Sequence, residues 1–233
     1  MIEQLRQHLQ ALQKTAVLDG TPGCLPLGIA SIDAALGGGL ARGALHEIAA
    51  VSEAHLAAAI GFALGLVSSC RLLWLAEDMA LAESGAPYGP GLDASGLKPE
   101  QLLTVSAARR CDLLWAMEEA LRCRAIATVI GELRQSDLDM VALRRLSLAA
   151  AESGALALLL RCAPPREAST AATRWIVGAA PKSRFAVQLT RNRRGPLGSW
   201  ILEWSDDDER FLLATPAQPV AAPALDRPHR KVV

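Results

Sequence analysis

An α/β fold with a mostly parallel central sheet, helices on both faces and an antiparallel extension at the C-terminal end is predicted by three features of this chain. Continuous apolar runs recur at 44–50, 71–77, 102–105, 125–130 and 155–160. A run that is apolar at nearly every position is a strand buried on both faces. Stretches with apolar residues at helical spacing lie between the runs, as the crossovers of parallel strands require. The pattern changes after Arg161. There 173–177, 185–190 and 200–204 are short strands, separated by turns at Ala180-Pro181 and at 195–198, and these make the antiparallel part.

Composition bounds the answer. The 233 residues suffice for one such domain with a buried core. Apolar residues make up 51% and charged residues 21%, which excludes a disordered chain. Lys plus Arg and Asp plus Glu both number 24, so no global field draws the chain to DNA or membrane. Contact with nucleic acid then needs a local basic patch. Five cysteines (Cys24, Cys70, Cys111, Cys123, Cys162) are scattered and never spaced as CxxC. They read as buried small hydrophobes of a reduced compartment, with no disulfide and no metal site. The first residues mix charges and glutamines and do not form a signal peptide, and the longest apolar run, 57–67, is too short for a bilayer. A cytoplasmic location is expected.

In chain order, Ile2, Leu5, Leu9 and Leu12 recur at helical spacing, which predicts an N-terminal amphipathic helix within 1–18. It is expected to dock on its own domain or on a neighbouring molecule. Breakers from Asp19 to Gly23 lead into the α/β domain, 19–215. A helical turn over 27–36 has Ser31 as its expected cap. Gly37, Gly38 and Gly39 form a turn, and Arg42-Gly43 a second, before the strand 44–50. Ser52-Glu53 opens a long Ala/Leu-rich helix. The segment 84–91, with its glycines and prolines, is a loop. Asp112 opens a helix through Arg122, with Leu113, Leu114, Met117 and Leu121 on one face. Ser136 starts another, where Arg144 and Arg145 form a solvated face. The Pro/Ala-rich end, 216–233, with basic residues over 227–231, is a disordered tail.

Strand, tight turn and helix at 44–66 is where an α/β protein usually cradles a phosphate. That chemistry wants glycines for close backbone approach and a lysine for the phosphates. The turn here reads AAVSEAHLA over 49–57, without glycine or lysine and with Glu53 where an anion would sit. The context of a nucleotide site is present and its chemistry is missing.

Two segments, GGGLARGALHEIAAVSEAHLAAAIGFALGL and RFAVQLTRNRRGPLGSWILEW, resemble the RecA segments through the phosphate loop and near the end of the core. LWAMEEALRCRAIATVIGEL and RRLSLAAAESGALALLLR, with GSWILEW, resemble ImuA, a family of RecA relatives encoded in bacterial mutagenesis cassettes. The resemblance implies a RecA-like core from the first helix to the last strand. It places the phosphate-loop lysine and threonine at Leu56 and Ala57 and the flanking glycines at Ala50 and His55. It places the activating glutamate at Glu77 and the strand-end aspartate at Gly131 or Glu132. The basic pair at RecA subunit contacts falls on Arg191 and Arg193, around Asn192. The two DNA-binding loops, at 133–136 and 162–170, are cut down.

No catalytic residue, cofactor or metal is expected, because Glu77 and Glu132 have no phosphate to act on. His46 reads as a hydrogen-bonded structural residue, His55 as a helix-face residue, and Trp115, Trp175, Trp200 and Trp204 as mostly core. The resemblance implies a non-catalytic adaptor in SOS-induced translesion synthesis. Its expected partners are an ImuB-type inactive Y-family polymerase, an error-prone DnaE-type polymerase and RecA, with weak DNA contact. The candidate surfaces are Leu5, Leu9 and Leu12, and the Arg191, Arg193, Arg194 turn. Two alternatives stay open: a diverged ATPase using Glu77 and Glu132, and a single-stranded DNA-binding protein that modulates RecA.

Overall fold

Gln7 and residues 23–67, 71–85, 88–134 and 138–214 are described by the computed structural model. The predicted N-terminal leucine face, the basic tail, Cys70 and Ser136 lie outside these residues.

The five apolar runs form five parallel strands. They are β3 (Ala44–Ala50), β4 (Leu72–Glu77), β5 (Leu102–Ala107), β6 (Thr128–Leu133) and β7 (Leu156–Arg161). They stand in the order β3-β7-β6-β4-β5. Strand β8 (Thr173–Ala180) joins parallel to β3. From it β9 (Arg184–Asn192), β10 (Gly198–Ser205) and β11 (Arg210–Leu213) continue antiparallel, completing nine strands. Strand β11 was not anticipated from the sequence. Neither was the small ribbon of β1 (Cys24–Leu25) with β2 (Leu40–Ala41).

Two apolar layers sandwich the parallel strands. On one face α2 (Leu56–Val67) buries Phe62, Ala63 and Val67 against Ile48, Leu160 and Trp175. The Phe62 and Trp175 rings stand 5.6 Å apart, and Trp200 packs on Trp175 at 6.2 Å. On the other face α5 (Arg110–Leu121) and α6 (Met140–Ser153) bury Leu113, Met117, Leu143 and Leu146 against Leu45 and Leu159. Among the described residues, none of β8 to β11 belongs to this second layer. Gly131 in β6 faces α5 so closely that an added Cβ would lie 2.6 Å from the Met117 sulfur. A side chain there would force the Met117 side chain to move.

Several boundaries differ from the sequence reading for identifiable reasons. Helix α1 (Ala30–Leu36) begins after Ile29 and Ser31 caps nothing; the Asp33 carboxylate instead accepts the Leu27 and Gly28 N–H groups. The expected loop 84–91 is framed by two short helices, α3 (Asp78–Ser84) and α4 (Gly89–Ala94). Helix α5 starts at Arg110, and Asp112 lies inside its first turn, accepting from Arg109 Nε and Nη2 at 2.8 Å each. Strand β6 begins at Thr128 and runs through Gly131 and Glu132, which the sequence had placed at its end. Helix α6 begins at Met140, because Asp139 is its cap and accepts the Ala142 N–H at 2.6 Å. The glycine turn is as expected: Gly37, Gly38 and Gly39 all have positive φ.

Candidate functional site: the loop after β3

Parallel strands of this kind open a crevice at their carboxyl ends, and the β3–α2 loop stands over it. Ser52 is extended and makes no side-chain cap; Glu53–His55 forms one 3-10 turn, and α2 continues from Leu56. Two of the loop's backbone donors are used internally. The Val51 N–H donates to the Val177 carbonyl and the His55 N–H to the Ser52 carbonyl. Where β3 ends at Ala50, the next free donor on β8 is the Ala179 N–H, and His55 Nδ1 accepts it at 2.9 Å. His55 therefore ties the loop to the sheet; it does more than decorate a helix face. Leu56, at the lysine position, is 6% exposed and packs in the α2 core. Ala57 is exposed and offers no hydroxyl for a metal ion.

Charge around the loop is carboxylate-rich. Glu77 ends β4, and Glu132 points from β6 toward the α2 side, the face opposite Gly131. Of the two residues at the strand-end aspartate position, Glu132 is thus the one that faces the loop. It is buried, and one carboxylate oxygen accepts the Trp74 indole N–H at 3.2 Å. Burial pushes its carboxyl above the usual range, against the pull of Arg134 and Trp74, while Glu77 adds repulsion. Arg134, one residue beyond β6, reaches Glu53 at 3.7 Å and Glu83 and Glu132 at 3.8 Å. The neighbouring cavity, about 340 Å³, is lined by apolar residues of α2, β4, α3 and α4, including Ile60, Leu64, Trp74 and Leu92, with Glu132 at its wall. The described residues hold no group of three or more His, Cys, Asp or Glu able to bind a metal.

A second charged cluster, not singled out in the sequence, lies on the α5–α6 face. Glu47 of β3 is fully buried between Arg174 of β8, 2.7 Å from its carboxylate, and Arg161 of β7, at 3.5 Å. Arg161 also meets Glu167, and Arg174 donates to the Glu167 carbonyl at 3.2 Å. Burial opposes the Glu167 charge, yet its hydrogen bonds and the Arg161 guanidinium hold its carboxyl below the usual range. This network anchors the shortened segment 162–172 at the place the family resemblance assigns to a DNA-binding loop. Alternate residues of three adjacent strands supply it, a pairing that β3-β7 and β3-β8 adjacency alone brings about.

His46 is structural. Its Nε2–H donates to the Ala41 carbonyl at 2.9 Å, and Nδ1 accepts from Thr173 Oγ1 at 2.8 Å. That hydroxyl accepts the Trp175 N–H at 3.0 Å, which fixes its own proton toward His46. Burial lowers the His46 pKa to about 4, so the ring is neutral. Of the cysteines, Cys123 is buried as expected, but Cys111 is exposed.

The arginine turn is split by its hydrogen bonds. Arg191 is tied down, its Nε donating to the Ala171 carbonyl at 2.9 Å. Asn192 donates to the Ala35 and Pro196 carbonyls and accepts the Arg194 N–H, so it shapes the turn. Arg193 and Arg194 are exposed, beside Leu197. Arg144 and Arg145 are also exposed, as expected, with Arg145 paired to Glu118 at 2.6 Å. Among the tryptophans, Trp175 is fully buried and Trp200 and Trp204 are partly so. No described helix is long and apolar enough to cross a membrane.

Comparison with known proteins agrees with this architecture. No family model matches the chain. Protein ImuA of Caulobacter vibrioides, in strains NA1000 / CB15N and ATCC 19089 / CIP 103742 / CB 15, is 30% identical over 209 residues, covering 77% of this chain and 82% of the relative. The crystal structure of the RadB recombinase superposes with a TM-score of 0.58 at 16% identity, over 78% of this chain and 96% of that one. The fold is therefore RecA-like, with a mostly parallel sheet and an antiparallel C-terminal extension, and the chain belongs to the ImuA family of the mutagenesis cassette.

Proposed function

We propose that this protein is a non-catalytic, RecA-like adaptor in damage-induced mutagenic DNA synthesis, acting by protein–protein contact. The observation that carries the reading is the loop after β3. Its lysine position is the core residue Leu56, its flanking position is a histidine bonded to β8, and Arg134 lies within ion-pair distance of its carboxylates. Losing a charge-assisted lysine contact removes roughly 1.5–3 kcal/mol of phosphate affinity, and Glu53 adds repulsion. The adaptor's partners are an ImuB-type inactive polymerase relative, an error-prone DnaE-type polymerase and RecA. Its contact surfaces are the exposed Arg193 and Arg194 and the N-terminal leucines.

Titration calorimetry with ATP and magnesium tests the negative half: no saturable heat is expected, and micromolar binding returns the protein to the ATPases. Co-purification tests the positive half. Retention of the ImuB-type partner is expected, and loss of every partner removes the adaptor reading. One observation favours weak DNA contact as a second reading, namely that Arg193 and Arg194 are both exposed on the turn between β9 and β10. Such binding would fall steeply with salt and would disappear in an Arg193→Ala/Arg194→Ala variant.

A further inference from the structure

The sheet is covered unevenly. Helices α5 and α6 pack on the parallel strands, and among the described residues the same face of β8, β9 and β10 carries none of that layer. The register there aligns Ile176 with Gln188 and Ser199, and Gly178 with Ala186 and Ile201. Together with Val51 of the β3–α2 loop these residues line a groove of about 510 Å³. Ile201 is 42% exposed and Val51 49%. An apolar sheet face of this kind is ordinarily covered by a helix or a second sheet.

The chain also holds an apolar helix face that the described fold leaves unassigned. Ile2, Leu5, Leu9 and Leu12 line one side of the predicted N-terminal helix, and Gln7, on its opposite side, is helical and exposed. Eleven residues of helix extend roughly 17 Å, enough to lie along the groove. The chain enters the described fold at β1, where Cys24 meets Arg194 at 3.4 Å. Arg194 is in the turn that joins β9 to β10, two of the groove's strands. Residues 15–23 can span up to roughly 30 Å, whereas Ser199 of the groove, five residues after Arg194, lies at most about 18 Å from it.

We infer that the N-terminal amphipathic segment of this chain seats its Ile2, Leu5, Leu9 and Leu12 side in the groove on its own β8–β10 face. The inference goes beyond the adaptor reading. It means that the leucines are covered in the isolated chain, and that a partner using them must draw the segment off the sheet.

The full chain with Leu9 replaced by photoreactive p-benzoylphenylalanine, irradiated at low concentration, tests this. Cross-links within the monomer to Ile176, Ala186 or the Ser199 to Ile201 stretch are expected. A covalent dimer, cross-links elsewhere, or none would overturn the inference. A second variant, Ile201→Asp, alters an already half-exposed side chain and leaves the strand paired. Trypsin should then cut after Lys14 about tenfold faster or more than in the unaltered chain, because the seated helix has lost an aliphatic contact. An unchanged rate with the fold intact would equally overturn it. The ATP and partner experiments are independent of both outcomes.

Discussion

Arg134 and Arg161 each gather carboxylates at the sheet's carboxyl edge, but under different conditions. Arg134 meets Glu53, Glu83 and Glu132 at 3.7 to 3.8 Å, and two of those partners are mostly exposed. Arg161 is wholly buried and, with Arg174, encloses the equally buried Glu47. Distance and water decide what each cluster does. Exposed pairs at such separations contribute little to stability, because solvent screens them. Breaking a buried pair leaves a charge that nothing hydrates. The first cluster thus balances charge at the mouth of the crevice, while the second anchors the segment between β7 and β8. The edge that holds nucleotide in an ATPase of this shape is here loosely held, and the structural work is done on the opposite face.

The buried cluster depends most on Glu47. Replacement by alanine leaves Arg161 and Arg174 without their shared carboxylate and should cost about 3–5 kcal/mol, read from urea unfolding. A loss under about 1 kcal/mol would mean that the buried cluster is not an anchor.

His46 sharpens the same point through pH. Its folded pKa is about 4 against an ordinary 6.5, so between those values the unfolded chain binds the proton and the folded chain does not. Stability is complete above pH 6.5 and declines as pH falls toward 4, by about 3 kcal/mol at most. His46→Asn should flatten that part of the urea-midpoint profile; a profile as steep as before would assign the slope to other groups.

Leu56→Lys probes the loop directly. The lysine enters a packed site, and the expected cost is about 2 kcal/mol of stability without gain of ATP affinity by calorimetry. Restored binding would show that a single residue had closed the site. The smallest effect is expected at Arg134: its replacement by alanine should change stability by under about 1 kcal/mol, and less still in high salt.

The strands show where sequence reading works. Residues 44–50 are apolar at five of seven positions, and β3 has those bounds, with His46 and Glu47 buried along with the apolar residues. The helix starts fared worse. Asp139 caps α6 and Ser31 caps nothing, since several polar residues near each start compete and the packed turn selects among them. Strand β11 is short and partly exposed, so its apolar signal is weak. At the candidate site, the missing glycines and lysine were legible residue by residue. The bond from Ala179 to His55 was not, since those partners are far apart in the chain and meet through the β3–β8 pairing.

From its residues the chain prescribed an α/β sheet, a degenerate phosphate loop and a basic turn, because these rest on local composition and spacing. Which carboxylate faces the loop, which arginine is tied down and which face of β8 to β10 no described helix covers were settled by three-dimensional packing. Those outcomes depend on strand order and on the alternation of side chains across the sheet, and neither is written in any single segment.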